Sequence, residues 1–181
     1  MVRHAWRMDR GTGREILIVG IEPGATEVRS GQAFSGSGGR RLMNWLSSAA
    51  VGRDRTEILA RAHMTSLCKC NVVDKRSLAQ AARNCFPFLQ QQIAILTPRV
   101  LVTLGAGPLN FIFGTQVELE TVVGRTWSES DFGGLFSLLA PPCKILPLPH
   151  PSPRSTWLNS PEHEELLRAA LRCLALELSN G

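Results

Sequence analysis

The chain of 181 residues contains no tyrosine, so none of its chemistry can use a phenol. Lysine is scarce: Lys69, Lys75 and Lys144 are the only ones among twenty basic residues, and the rest are arginine. No apolar run reaches the roughly twenty residues that a membrane span requires, so no membrane partner is expected. The opening stretch MVRHAWRMDRGTGRE has no apolar stretch of the secretory kind, which leads to the expectation of a cytoplasmic protein. Five cysteines, an odd number, argue against a disulfide framework. Walker, H-E-x-x-H and dinucleotide-binding fingerprints are missing as well.

What is present is an ordinary globular balance, 44% hydrophobic and 19% charged. The length suits one domain, and the expected organisation is a flexible segment over 1–14 followed by a single domain over 15–181. The formal net charge is +5. Arginine offers a planar fork of donors that matches phosphate, so this surplus fits a nucleic-acid partner. It equally fits a mildly basic surface with no such role.

Glu15–Gly20 (EILIVG) reads as a buried parallel-type strand ending on glycine. The twenty residues that follow are glycine-rich and without periodicity, and a loop of that length beside a strand end is usually functional. Helical spacing resumes over Arg41–Val51 and continues towards Leu59. Weaker strand character follows at His63–Leu67, then helix over Ser77–Leu96 on both sides of a kink at Pro87. Arg99–Leu104 is a strand closed by Gly105, and Pro108–Gly114 a short helix. Residues 116–139 suggest two or three minor strands around Gly124 and Gly133–Gly134. Lys144–Leu148 is the last strand, and Pro161–Leu178 an amphipathic helix with acidic residues in its first turn. Strands alternating with helices predict a three-layer α/β/α sandwich with a mainly parallel central sheet. Ligands bind such folds beyond the carboxyl ends of the strands, where the loops after Gly20 and Leu148 lie.

Those two loops carry a resemblance. The segment V19-G-I-E-P-G-A-T-E-V-R-S-G-Q-A-F-S-G-S-G-G-R-R-L42 is similar to the first motif of the uracil-DNA glycosylase superfamily, and L148-P-H-P-S-P-R-S155 resembles its second motif, H-P-S-P. Between them T65-S-L-C-K-C70, Cys85-x-Pro-Phe-Leu-x-x-Gln-Ile and P98-R-V-L-V-T-L-G105 resemble the bacterial and archaeal branch that often holds an iron–sulfur cluster. The resemblance implies a uracil-DNA glycosylase-like fold and a monofunctional glycosylase. Such an enzyme flips a damaged base, above all uracil, out of DNA and hydrolyses its bond to deoxyribose, leaving an abasic site. A monomer is what the resemblance implies for assembly.

Carried residue by residue, the resemblance makes Glu22 and His150 catalytic. The acid would orient water or support the positive sugar, and the imidazole would donate to the departing base. Ile21, Phe34 and Ser66 would hold the base, with Phe34 stacking on it. Gly24, Gly36, Gly38, Ser152, Pro153 and Arg154 would meet the DNA, with Gly36, Gly38 and Gly39 letting phosphate approach the backbone near a helix expected to begin near Arg40. Arg154 stands where several members place an apolar wedge, and either insertion or a phosphate contact fits it. Two departures stand out. The cluster-bearing branch reads G-E-A-P-G, with its acid where Ile21 stands here, and it carries asparagine where Ser66 stands. A serine cannot make the bidentate contact of an amide, so Asn71 or backbone would have to read the base, or the base preference differs.

Cys70 and Cys85 match two of that branch's cluster ligands, but residues 1–20 contain no cysteine to supply the other two. The expectation is therefore no cluster, no metal and no cofactor, with Cys70 and Cys85 as small buried residues. No lysine sits in either motif, so no imine-forming lyase step is expected. The alternatives are a related glycosylase for hypoxanthine or mismatched thymine, a weakly catalytic protein holding abasic or single-stranded DNA, and a metabolic α/β enzyme using the glycine-rich loop for phosphate.

Overall fold

A computed structural model describes residues 3–4, 11–114, 116–128, 131 and 143–179. At its centre lies a sheet of β2 (Ile16–Gly20), β3 (Ala62–Ser66), β5 (Val100–Leu104) and β6 (Lys144–Leu148), all parallel, in the order β3-β2-β5-β6. Every residue of β2 and β5 is buried, which is why both read as unbroken apolar runs. A small antiparallel pair, β1 (Arg3–His4) with β4 (Cys70–Asn71), lies apart. Within the segment expected to be flexible, β1 is thus paired, and Thr12 and Gly13 donate to the Leu59 carbonyl.

Helices cover both faces, giving the three-layer α/β/α sandwich that the pattern predicts. On one face α2 (Ser37–Ser48), α3 (Arg55–Arg61) and α7 (Pro161–Ser179) set Leu42, Leu46, Ile58, Ala170 and Leu174 against Ile16, Ile18, Val102 and Leu146. On the other, α4 (Leu78–Leu96) and α5 (Ala106–Phe113) set Phe86, Leu89, Ile93 and Leu109 against Leu17, Val19, Leu101 and Ile145. Successive residues of one strand go to opposite cores, as a period of two requires.

Several local expectations are corrected. The stretch after Gly20 contains α1 (Ala25–Ser30), which has no buried residue and so left no apolar period to read. Helix α2 starts at Ser37 rather than near Arg40, with Gly38 and Gly39 inside it despite their low helix propensity. The continuation towards Leu59 is a separate helix, because Asp54 caps α3 by accepting from the Glu57 N–H at 2.9 Å. Helix α4 is helical on both sides of Pro87, as expected. Over 116–139, where minor strands were expected, the described residues hold a short helix, α6 (Leu119–Val122), and an antiparallel bridge between Trp127 and Ile145. Among the described residues there, Val122 and Val123 are buried in the core, with Val117, Leu119 and Trp127 packed against it. Gly133–Gly134 lie outside the described residues.

The chain passes from β2 to β3 on one side, then to β5 and β6 on the other. The order reverses around β2, and a parallel sheet opens its crevice beyond the carboxyl end at such a point.

Candidate active site

Beyond the carboxyl ends of β2, β3 and β6 lies a cleft of about 760 Å³, and it gathers nearly every residue singled out from the sequence. Ile21, Glu22 and Gly24 enter it from the loop after β2, and Phe34, Gly36 and Gly38 from the approach to α2. Ser66 comes from the end of β3, and His150, Ser152 and Arg154 from the loop after β6. Glu22 and His150, 128 positions apart in numbering, thus share one wall-to-wall space. Pro153 is exposed in a turn and does not line it.

β6 is an edge strand, and Gly105 lets its loop lean inwards. The Gly105 N–H donates to the Leu148 carbonyl at 2.8 Å, with φ at +81°. A Cβ there would stand 3.2 Å from His150 Cβ. Glycine both adopts this backbone and leaves room for the histidine. The Ser152 N–H then donates to His150 Nδ1 at 3.1 Å. Accepting at Nδ1 obliges the neutral ring to carry its hydrogen on Nε2. Surrounding protein disfavours the imidazolium and lowers the His150 pKa below its ordinary value, although the side chain opens to the cleft. The outcome is a neutral imidazole with one N–H to offer.

Glu22 is nearly enclosed and tethered at both oxygens. Oε2 accepts from the Val72 N–H at 2.8 Å, and Oε1 pairs with the Lys75 ammonium. Lys75, on the turn after β4, carries an ammonium into the cleft that no motif announced. The carboxylate is held in one orientation by charge-assisted bonds, with lone pairs left for water or a cation.

Phe34 has a left-handed backbone, φ +50°, and its ring lies over Gly20 at the end of β2. Gly39 makes this possible, since a Cβ at that position would lie 1.7 Å from the Phe34 carbonyl oxygen. The Ser66 hydroxyl donates to the Cys68 carbonyl at 2.8 Å, so towards the cleft it can only accept. Behind it, the Lys69 ammonium bonds Ser66 O, Thr65 Oγ1 and Gln92 Oε1 at 2.8, 2.9 and 2.6 Å, fixing the end of β3. Asn71 also lines the cleft and donates through Nδ2 to the Pro23 carbonyl at 2.9 Å. The Gly36 N–H, one of the amides expected to face phosphate, donates instead to Glu27 Oε1 at 3.0 Å. Gly38 lies against the Ser152 backbone, and Arg41 donates to the Ser152 carbonyl, so α2 and the last loop brace each other. Arg154 is exposed and borders both this cleft and a more open groove towards Trp157 and His163.

A family model described as the uracil DNA glycosylase superfamily matches residues 10–172. The chain belongs to that superfamily. Among curated proteins it is similar to three named type-4 uracil-DNA glycosylase. The one from Pyrobaculum aerophilum is 36% identical over 117 residues, 62% of this chain and 57% of that protein. The one from Thermotoga maritima is 32% identical over 143 residues, 76% and 64%. The one from Sulfurisphaera tokodaii is 30% identical over 105 residues, 58% and 46%. The match thus spans about half to two thirds of these relatives' own length.

The cluster found in one branch of the superfamily does not fit the cysteines of this chain. Cys68, Cys70 and Cys85 neighbour one another; Cys70 and Cys85, expected to be buried, are only half-buried, and burial, then the nearby cysteines, raise the Cys68 and Cys70 thiols above their ordinary value. Burial pushes the Cys68 thiol up to about 12, and it donates to the Leu78 carbonyl. The Lys69 N–H is spent on Cys85 Sγ at 3.4 Å. Cys143 stands at the start of β6 and Cys173 on α7. Among the described residues no group of three or more His, Cys, Asp or Glu side chains is placed to hold a metal ion. A four-thiolate cluster needs ligands that this set does not offer.

Superfamily patterning did not announce Lys75, Arg41, Arg55, Glu27 or the Lys69–Gln92 pair. Most act through contacts distant in sequence, Arg41 with Ser152 and Lys75 with Glu22 above all, while Glu27 reaches Gly36 nine residues on. Only Gly105 left a signal, as the glycine closing β5.

Proposed function

We propose that this chain is a monofunctional DNA glycosylase that takes a flipped-out damaged base, uracil first of all, and hydrolyses its bond to deoxyribose. The observation that carries the reading is the convergence of Glu22, Phe34 and His150 on one cleft at the sheet's carboxyl rim, in a chain of this superfamily. DNA is the partner, a monomer the acting form, and a cytoplasmic site the proposed location.

Extrusion of the nucleotide costs a few kcal/mol, which backbone contacts and stacking offset. The base slides over Gly20 onto the Phe34 ring, a contact worth about 1–3 kcal/mol. The glycosidic C–N bond then breaks with its electron pair passing to the base. The His150 Nε2–H stabilises the growing negative charge on the base oxygen it faces; a neutral donor serves without having to give up its proton. Glu22 faces the positive sugar and orients the water whose oxygen bonds to C1′. The water gives up one proton and keeps the other as the C1′ hydroxyl, the base anion takes up one proton, and the products are free base and an abasic site. The Lys75 side chain is engaged in its pair with Glu22.

Ser66 favours a second reading of base identity. Its single hydrogen is committed to Cys68, so the amide-like edge contact of the asparagine-bearing branch is missing, and hypoxanthine or mismatched thymine belongs in the test. Labelled duplexes bearing uracil, hypoxanthine or a T·G mismatch are incubated with protein and then treated with alkali to cleave abasic sites. Cleavage of the uracil strand is expected, falling roughly 10²- to 10³-fold in His150→Ala with the melting temperature unchanged. Tight binding without cleavage of any strand sinks the enzymatic reading and leaves a DNA-binding protein. Cleavage confined to another lesion transfers the function to that base.

A further inference from the structure

Phe34 sits in a backbone conformation that its own sequence does not favour. A β-unbranched aromatic at φ +50° is strained unless its surroundings over-determine it. Gly39 provides the room, but room alone does not select a conformation. The selecting contact comes from α3, where the Arg55 guanidinium donates through Nη2 to the Ala33 carbonyl at 2.6 Å and through Nη1 to the Phe34 carbonyl at 3.4 Å. The two carbonyls are consecutive, so one planar fork sets the peptide plane from which the ring projects.

We propose that Arg55 is a positioning residue for the stacking ring, acting on the flipped base only through Phe34. The proposal rests on the stacking reading of Phe34 given above.

Two features argue that Arg55 is not there for α3 itself. It occupies the first residue of the helix, where a cation opposes the helix dipole. The helix's own needs are met by neighbours: Asp54 caps it, and Glu57 pairs with Arg53 instead. A third feature concerns Ala33, which is buried; without Arg55 its carbonyl would lose that hydrogen bond inside the protein. Relaxation of that carbonyl towards water would rotate the peptide that holds the ring over Gly20.

The test compares Phe34→Ala, Arg55→Ala, Arg55→Lys and the Phe34→Ala/Arg55→Ala pair, measuring kcat and KM on a uracil duplex, Kd for the same duplex, and melting temperature. Because stacking holds the base alike in ground and transition states, Phe34→Ala should raise KM and Kd roughly five- to hundredfold with kcat little changed. Arg55→Ala should raise both several-fold in the same way, and Arg55→Lys should restore part of the loss. The decisive result is in the double variant, expected to be no worse than Phe34→Ala alone. Factors that multiply in the double variant, or a lowered melting temperature with KM and Kd untouched, make Arg55 merely structural and overturn the proposal. If Arg55→Ala does not fold, Arg55→Lys alone and in the Phe34→Ala background carries the same comparison. No change in Phe34→Ala overturns the stacking reading and this proposal together, whereas cleavage of uracil strands is judged separately.

Discussion

His150 shows how one side chain is given a working state by its surroundings. The Ser152 amide sets the tautomer, Gly105 sets the distance, and the protein around the ring disfavours its charge. The folded pKa therefore lies below the ordinary 6.5, while the unfolded chain keeps the ordinary value. Between the two, the unfolded chain binds a proton that the folded protein refuses. The stability contributed by the neutral ring is complete above about pH 6.5 and is lost as pH falls through the lower, folded value. The competent donor follows the same direction, so kcat should hold steady through pH 6.5 and fall only on further acidification. A kcat–pH profile of wild type beside His150→Gln checks this. A His150-dependent limb rising to pH 7 or above contradicts it, and a limb that persists in the variant belongs to another group.

Among the elements, α3 makes the plainest case of a small device with a distant purpose. Its sequence, RTEILAR, has a single buried residue, Ile58, and would not hold a helix by burial alone. Asp54 accepts from the Glu57 N–H and supplies one of the missing terminal bonds. Asp54→Ala should cost about 1 kcal/mol. For a chain of this length that is roughly 2–4 °C in melting temperature, readable in a thermal melt. No change would mean that the packing of Ile58 and the Arg61–Glu15 pair at 2.7 Å hold the helix without its cap. The neighbouring α2 shows the reverse: its first turn carries Gly39, which propensity would reject and which is needed because the Phe34 carbonyl occupies the space where a side chain would go.

Over the whole molecule, charge and cleft act together. The net charge of +5 favours DNA at long range, and the surface around the cleft presents Arg154 to solvent. Binding of an uncleaved duplex should weaken with salt along a straight line of log K against log salt concentration. Arg154→Ala should flatten that slope by about one, the signature of one lost phosphate contact. A lower affinity with the slope unchanged would instead place Arg154 in the base stack.

The sequence by itself determined the layered architecture and the two loops that carry the motifs. Both are local in cause: strands buried on both faces must be apolar throughout, and G-x-x-P-G and H-P-S-P are contiguous words. Ile21, Glu22 and His150 could be singled out for that reason, Phe34 and Ser66 from the neighbouring stretches of the resemblance, and all five line the cleft. Only the tertiary structure decided what each can do. It spent the Ser66 hydroxyl on Cys68, occupied the Gly36 amide with Glu27, tied Glu22 to Lys75, and set Arg55 beneath Phe34. The Lys75 and Arg55 pairings join groups that the chain brings together only by folding, and even the local ones, Ser66 to Cys68 and Gly36 to Glu27, depend on how the loops are set. Hydrogen bonds leave no period along a sequence, whereas burial does.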